Sequence, residues 1–145
     1  MDECASKATL DAGGNVILIP ARAESELIRE SWIANALNDG RMLMLYDTLP
    51  DEPFSASRAL TRNHTIYALG ESAIVVAARA GMGGSYHGAM DCLRGGWTPV
   101  YVCDGVNCDM EGNKALLREG AKVFSTEKPL VQQTNGWTQM EMWNT

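Results

Sequence analysis

No stretch of this sequence approaches the roughly 18 consecutive apolar residues that a membrane-spanning helix requires. The opening residues, MDECASKATL, lack the basic flank and apolar stretch of a secretory signal. Basic charge is scarce: 12 Lys and Arg stand against 18 Asp and Glu, a net charge of −6, and the sequence pI is about 4.8. There is no basic tail or basic cluster. Strong non-specific binding to nucleic acid needs Lys and Arg to neutralise phosphates, so the composition argues against it while leaving room for a local basic site. Cysteine is sparse as well, and Cys4, Cys92, Cys103 and Cys108 form no C-x-x-C pair. Cys92 and Cys103 sit in apolar contexts that suit buried free thiols. Cys103, Asp104, Cys108 and His87 match no common zinc-ligand spacing, so no metal and no cofactor is expected. Without a disulfide framework or a signal peptide, the expected compartment is the cytoplasm, with no membrane partner.

Catalytic motifs are missing too. No G-K-[ST] occurs, which excludes a P-loop, and no G-x-S-x-G occurs, which excludes that nucleophile elbow. Gly81-Met82-Gly83 begins like the dinucleotide fingerprint G-x-G-x-x-G, but its third glycine position holds Tyr86. His64 and His87 are the only histidines, and neither has a Ser or Cys partner at a motif spacing. His64 reads as a surface or structural residue, whereas His87, just after a glycine turn, is a credible ligand contact.

What the sequence does have is one organised stretch, residues 72–96. Ala73-Ile74-Val75-Val76-Ala77 is a short apolar, β-branched run that suits a strand buried on both faces of a parallel sheet. Gly81-Met82-Gly83-Gly84 is a turn, and Ser85 to Arg94 reads as a helix stopped by Gly95-Gly96. A strand, a glycine turn and a helix N-terminus together form a ready anion site, because N–H groups and the positive dipole end point at the ligand. A plain turn between strand and helix accounts for the same glycines.

The flanking chain alternates in the same way. Residues 2–12 read as a helix stopped by Gly13-Gly14, Val16 to Ile19 as a strand, and residues 24–38 as one amphipathic helix with Ile28, Trp32 and Ala36 on a stripe. Met42 to Leu45 is a short strand. After a loop with Pro50 and Pro53, Ser55 or Ser57 caps a helix to about Leu69. Pro99 to Cys103 and Lys122 to Phe124 are strands, with a short helix from Asn113 to Glu119 between them. Strands alternating with helices predict an α/β, Rossmann-like three-layer fold with a mainly parallel sheet. The expected organisation is a body over residues 1–126 and a tail over 127–145, whose Trp137, Met140, Met142 and Trp143 pack on the body or on a partner.

One constellation carries chemistry. Arg62-Asn63 lies on the helix that enters the organising strand, and Gly83-Gly84-Ser85 lies at that strand's carboxyl end, where open α/β sheets bind ligands. Arg offers a bidentate fork for phosphate, and Ser a hydroxyl. A solvated helix face explains Arg58 and Arg62 equally well. The candidate phosphate contacts are Arg62, Asn63, Gly83, Gly84, Ser85, Tyr86 and His87.

Several of these residues carry a resemblance. Arg62-Asn63-His64-Thr65-Ile66-Tyr67-Ala68-Leu69, followed by Ala73-Ile74-Val75-Val76, is similar to the R-N-x-x-I-x-x-L…V-V signature of the DNA-processing protein A (DprA/Smf) family, within the SLOG-type Rossmann superfamily. Gly83 to Ala89 resembles that family's G-G-[ST]-x-x-[GA]-A turn. Gly112-Asn113-Lys114-Ala115-Leu116-Leu117, with Gly120-Ala121, resembles its ending, and Asp2 to Gly14 resembles one of its helices. The likeness runs from about residue 2 to 124. It implies a module that binds phosphate groups of a nucleotide or of single-stranded DNA, with a role in DNA processing or uptake.

Two departures bear on that expectation. The family's first two strands have no counterpart here and would sit centrally in the sheet, so either the core is rearranged or a second chain fills the gap; a homodimer is expected. The related lysine-decarboxylase-like phosphoribohydrolases carry a catalytic glutamate after their glycine turn. This turn has Tyr86 and His87 instead, and Asp91 is the only acidic candidate for such an enzyme, which stands as the alternative function.

Overall fold

The computed structural model describes residues 2–47, 49–103 and 111–125. The tail with its tryptophans, together with Asp104 and Cys108, lies outside the described residues. In chain order the elements are α1 (Asp2–Asp11), β1 (Val16–Leu18), α2 (Glu24–Leu27), α3 (Ser31–Asn38), β2 (Met42–Met44), α4 (Ala56–Leu69), β3 (Ala73–Val75), α5 (Gly83–Gly95), β4 (Val100–Cys103), α6 (Glu111–Arg118) and β5 (Lys122–Phe124). Helices alternate with strands, and among the described residues every strand pairing is parallel, which is the α/β Rossmann-like pattern. The chain forms two compact units, Met1–Leu69 and Gly70–Thr145.

In the first unit β1 and β2 pair in register, Val16 with Met42 and Leu18 with Met44. These residues pack with Leu10, Leu27, Ile33, Ala36 and Trp32 into one apolar cluster. Arg41 closes the end of α1: its guanidinium donates to the carbonyls of Leu10 and, at 2.7 Å, of Gly14. A cation there satisfies orphan carbonyls and suits the negative end of the helix dipole.

The helix expected over residues 24–38 is two helices, broken around Glu30, whose backbone is extended at φ −78°, ψ 115°. Core packing explains the break. At about 100° per residue, a continuous helix would set Leu27 roughly 120° around the axis from Ile33. The break lets Leu27, Ile33 and Ala36 all join one core, and it leaves Ile28, expected on the buried stripe, 47 % exposed. The Glu30 carboxylate accepts from the Trp32 indole N–H and from Arg22, both at 2.8 Å. The Trp32 bond first, and then Arg22, hold that carboxyl below its ordinary range.

The second unit is a three-stranded sheet in the order β3-β4-β5, with α5 and α6 as the crossovers. Val100, Tyr101 and Val102 on the central strand are all but fully buried. β3 was expected to be covered on both faces; instead Ile74 is 38 % exposed, because β3 is an edge strand and β4 holds the middle. Ala89, Cys92 and Leu116 show no exposed surface and complete the core from α5 and α6.

Candidate functional site

The β3–α5 connection begins at the carboxyl end of a parallel strand, so the start of α5 sits on the side of the sheet where such folds bind ligands. The connection folds as a tight turn in which Met82 N–H donates to Arg79 O at 3.1 Å. Gly83 then opens α5 with φ +80°, a conformation that favours glycine. Met82, the residue before the helix, is extended and gives no side-chain cap. The first turn that follows is exposed at Gly83, Gly84, Ser85 and His87 and half-buried at Tyr86. Tyr86 and His87 meet edge to face, with ring centroids 5.6 Å apart and planes at 80°. Thus five of the expected contacts share one helical turn, whose N–H groups suit an anion.

Arg62 and Asn63 lie on α4, in the first unit. Arg62 is largely buried; its Nη1 stands 3.4 Å from the carboxylate of Asp2, and its Nε has no hydrogen-bond partner. Asp2 is itself well exposed, so this is a long pair at the surface, of the kind that contributes little. Arg58, one turn earlier, is committed: it pairs with Glu52 and reaches the Ser55 hydroxyl at 3.3 Å. Ser55 in turn accepts the Arg58 backbone N–H at 3.1 Å and so caps α4, one of the two caps expected.

Asp91 lies seven residues beyond Gly84, about 10 Å along the helix. It is half-buried and has an interaction of its own. The phosphoribohydrolase alternative, which needs a carboxylate at the glycine turn, finds no support. Among the described residues no group of His, Cys, Asp and Glu could hold a metal ion, and no helix is long and apolar enough to cross a membrane.

Sequence reasoning placed Asn113 at the start of a short helix and Gly112-Asn113 in a resemblance, yet these residues also touch the β3–α5 loop. Asn113 is 3 % exposed. Its Oδ1 accepts Ala78 N–H at 2.8 Å and its Nδ2 donates to Val76 O at 3.0 Å. A Cβ on Gly112 would lie 2.2 Å from Ala78 O, so only glycine lets α6 come this close. The signal available beforehand was a polar residue beside a glycine at the head of an otherwise amphipathic helix, and nothing in it named the partner.

The family model for DNA recombination-mediator protein A matches residues 1–135. The chain belongs to that family. No curated protein and no solved structure matches it. Membership in the DNA recombination-mediator protein A family implies a role in DNA processing. The match spans both units, from α1 to beyond β5, and so includes the glycine turn and the Gly112-Asn113 pair.

Proposed function

We propose that this protein is a cytoplasmic binding module that holds phosphate groups of single-stranded DNA, or of a free nucleotide, on the first turn of α5. Backbone N–H groups of Gly83 to Tyr86 are the proposed donors, with the Ser85 hydroxyl and His87 beside them. Arg62 and Asn63, in the first unit, are proposed as phosphate contacts in their own right. The observation that carries the reading is the start of α5: a glycine turn at the carboxyl end of a parallel strand, leading into an exposed first helical turn. Family membership supports the DNA reading. The net charge of −6 keeps a mononucleotide in play, because such a ligand needs one local site rather than a basic surface.

Gly84→Val tests the site. Gly84 is exposed, and it is not among the glycines with positive φ, so a side chain there blocks close approach of an anion while sparing the fold. The parent should bind a labelled oligo-dT with an affinity that drops steeply as salt rises, by a slope of about 0.7 for each phosphate neutralised. A mononucleotide should instead give a saturable rise in melting temperature. The variant should melt near the parent and lose the binding. If it held both ligands as tightly as the parent, the site would be elsewhere.

A further inference from the structure

We propose that Gly112 and Asn113 clamp the β3–α5 loop in the shape that presents the first turn of α5, which makes Asn113 a positioning residue for binding there. This rests on the reading of α5 as the ligand site. The clamp grips the loop early. Asn113 takes Val76 O and Ala78 N–H together, and Gly112 lets the backbone of α6 lie against Ala78 and Arg79. The next residues form the Arg79–Met82 turn, and Gly83 follows directly. The loop's course into α5 is therefore held from α6 as well as by its own turn and glycines.

The chemistry of the clamp is specific to an amide. One side chain must present a donor and an acceptor at once, to two backbone groups two residues apart, in a place closed to water. An ionised carboxylate has the right shape but only acceptors, and would face the Val76 carbonyl with like partial charge. A protonated carboxyl regains the donor: its O–H donates to Val76 O while its C=O accepts from Ala78 N–H. Among the described residues, the charged groups that flank it on α6 and lie on the loop are exposed. Glu111 and Lys114 pair on α6 at 3.6 Å, and Arg79 lies on the loop.

Asn113→Asp therefore separates positioning from packing by its pH profile. At pH 7.5 the amides of residues 77–83 should lose roughly tenfold in hydrogen-exchange protection while those of β4 keep theirs. The dissociation constant for oligo-dT should rise about tenfold relative to the parent. Both deficits should shrink as pH falls toward 5, as the buried carboxyl takes up its proton, with the parent measured at each pH as the reference. A second arm needs no variant: in the parent, the Ala78 amide should exchange as slowly as those of β4, and fast exchange there overturns the clamp. Loop protection unchanged in Asn113→Asp, or a uniform loss across loop and β4 with no recovery at low pH, also overturns it. A parent that binds neither oligo-dT nor phosphate would sink the α5 reading and the positioning role with it, an outcome distinct from unchanged loop exchange in a parent that binds.

Discussion

Cys4 and Cys92 are the same group in opposite surroundings. Cys4 is exposed on α1, whereas Cys92 is fully buried on α5 and its thiol donates to Thr98 O at 3.4 Å. Burial pushes the Cys92 thiol up, partly offset by hydrogen bonds from the backbone around it. A raised value means less thiolate at pH 8, and only the thiolate is a good nucleophile. Peptide mapping after brief iodoacetamide treatment at that pH should find Cys4 alkylated and Cys92 intact; equal labelling would contradict the packing of α5. The apolar context of Cys92 was readable in the sequence, as was the glycine turn that leads into α5. Arg58 and Arg62 were not separable there, because four-residue spacing says only that they share a helix face. What distinguishes them is which acids come near, Glu52 for Arg58 and the more distant Asp2 for Arg62, and that depends on chain folding around α4.

Among the elements, most boundaries followed from local chemistry. The glycines after α1 and α5, the serine before α4 and the apolar runs of β1, β2 and β4 each mark an end or a strand by rules that act within a few residues. The break between α2 and α3 did not follow, since helix propensity is continuous through it and only the shared core of Leu27, Ile33 and Ala36 requires it. Nor did the exposure of β3, because position within a sheet is a tertiary property. The cap of α4 gives a direct check on the local part. Ser55→Ala removes the acceptor for the Arg58 N–H and should cost about 1 kcal/mol in urea unfolding. The loss should appear as a lower midpoint with the slope unchanged. No loss at all would mean that the hydroxyl is not the cap.

At the scale of the whole molecule, strand order and exposed surface bear on assembly. Among the described residues the strands pair as one sheet of two and one sheet of three. Ile17 and Leu43 stand opposite each other on β1 and β2, 60 % and 58 % exposed, so the outer face of that sheet presents a pair of large apolar side chains. Exposed apolar pairs of this kind recruit other chains. We expect a homodimer, assisted by the tail after Glu127 with its tryptophans and methionines. Light scattering on dilute protein should give twice the monomer mass; a clean 15.8 kDa, unchanged when the tail is deleted, would sink that expectation.

The acidic balance of the sequence, 12 Lys and Arg against 18 Asp and Glu, makes a confined phosphate site the central claim. The most direct measurement is an amide NMR titration of the full chain, first with inorganic phosphate and then with a short oligo-dT. The account predicts saturable shifts concentrated at the backbone N–H groups of Gly83, Gly84, Ser85 and Tyr86, with both ligands moving the same signals and Gly84→Val abolishing them. Oligonucleotide binding that left those amides unmoved and shifted signals elsewhere would contradict it.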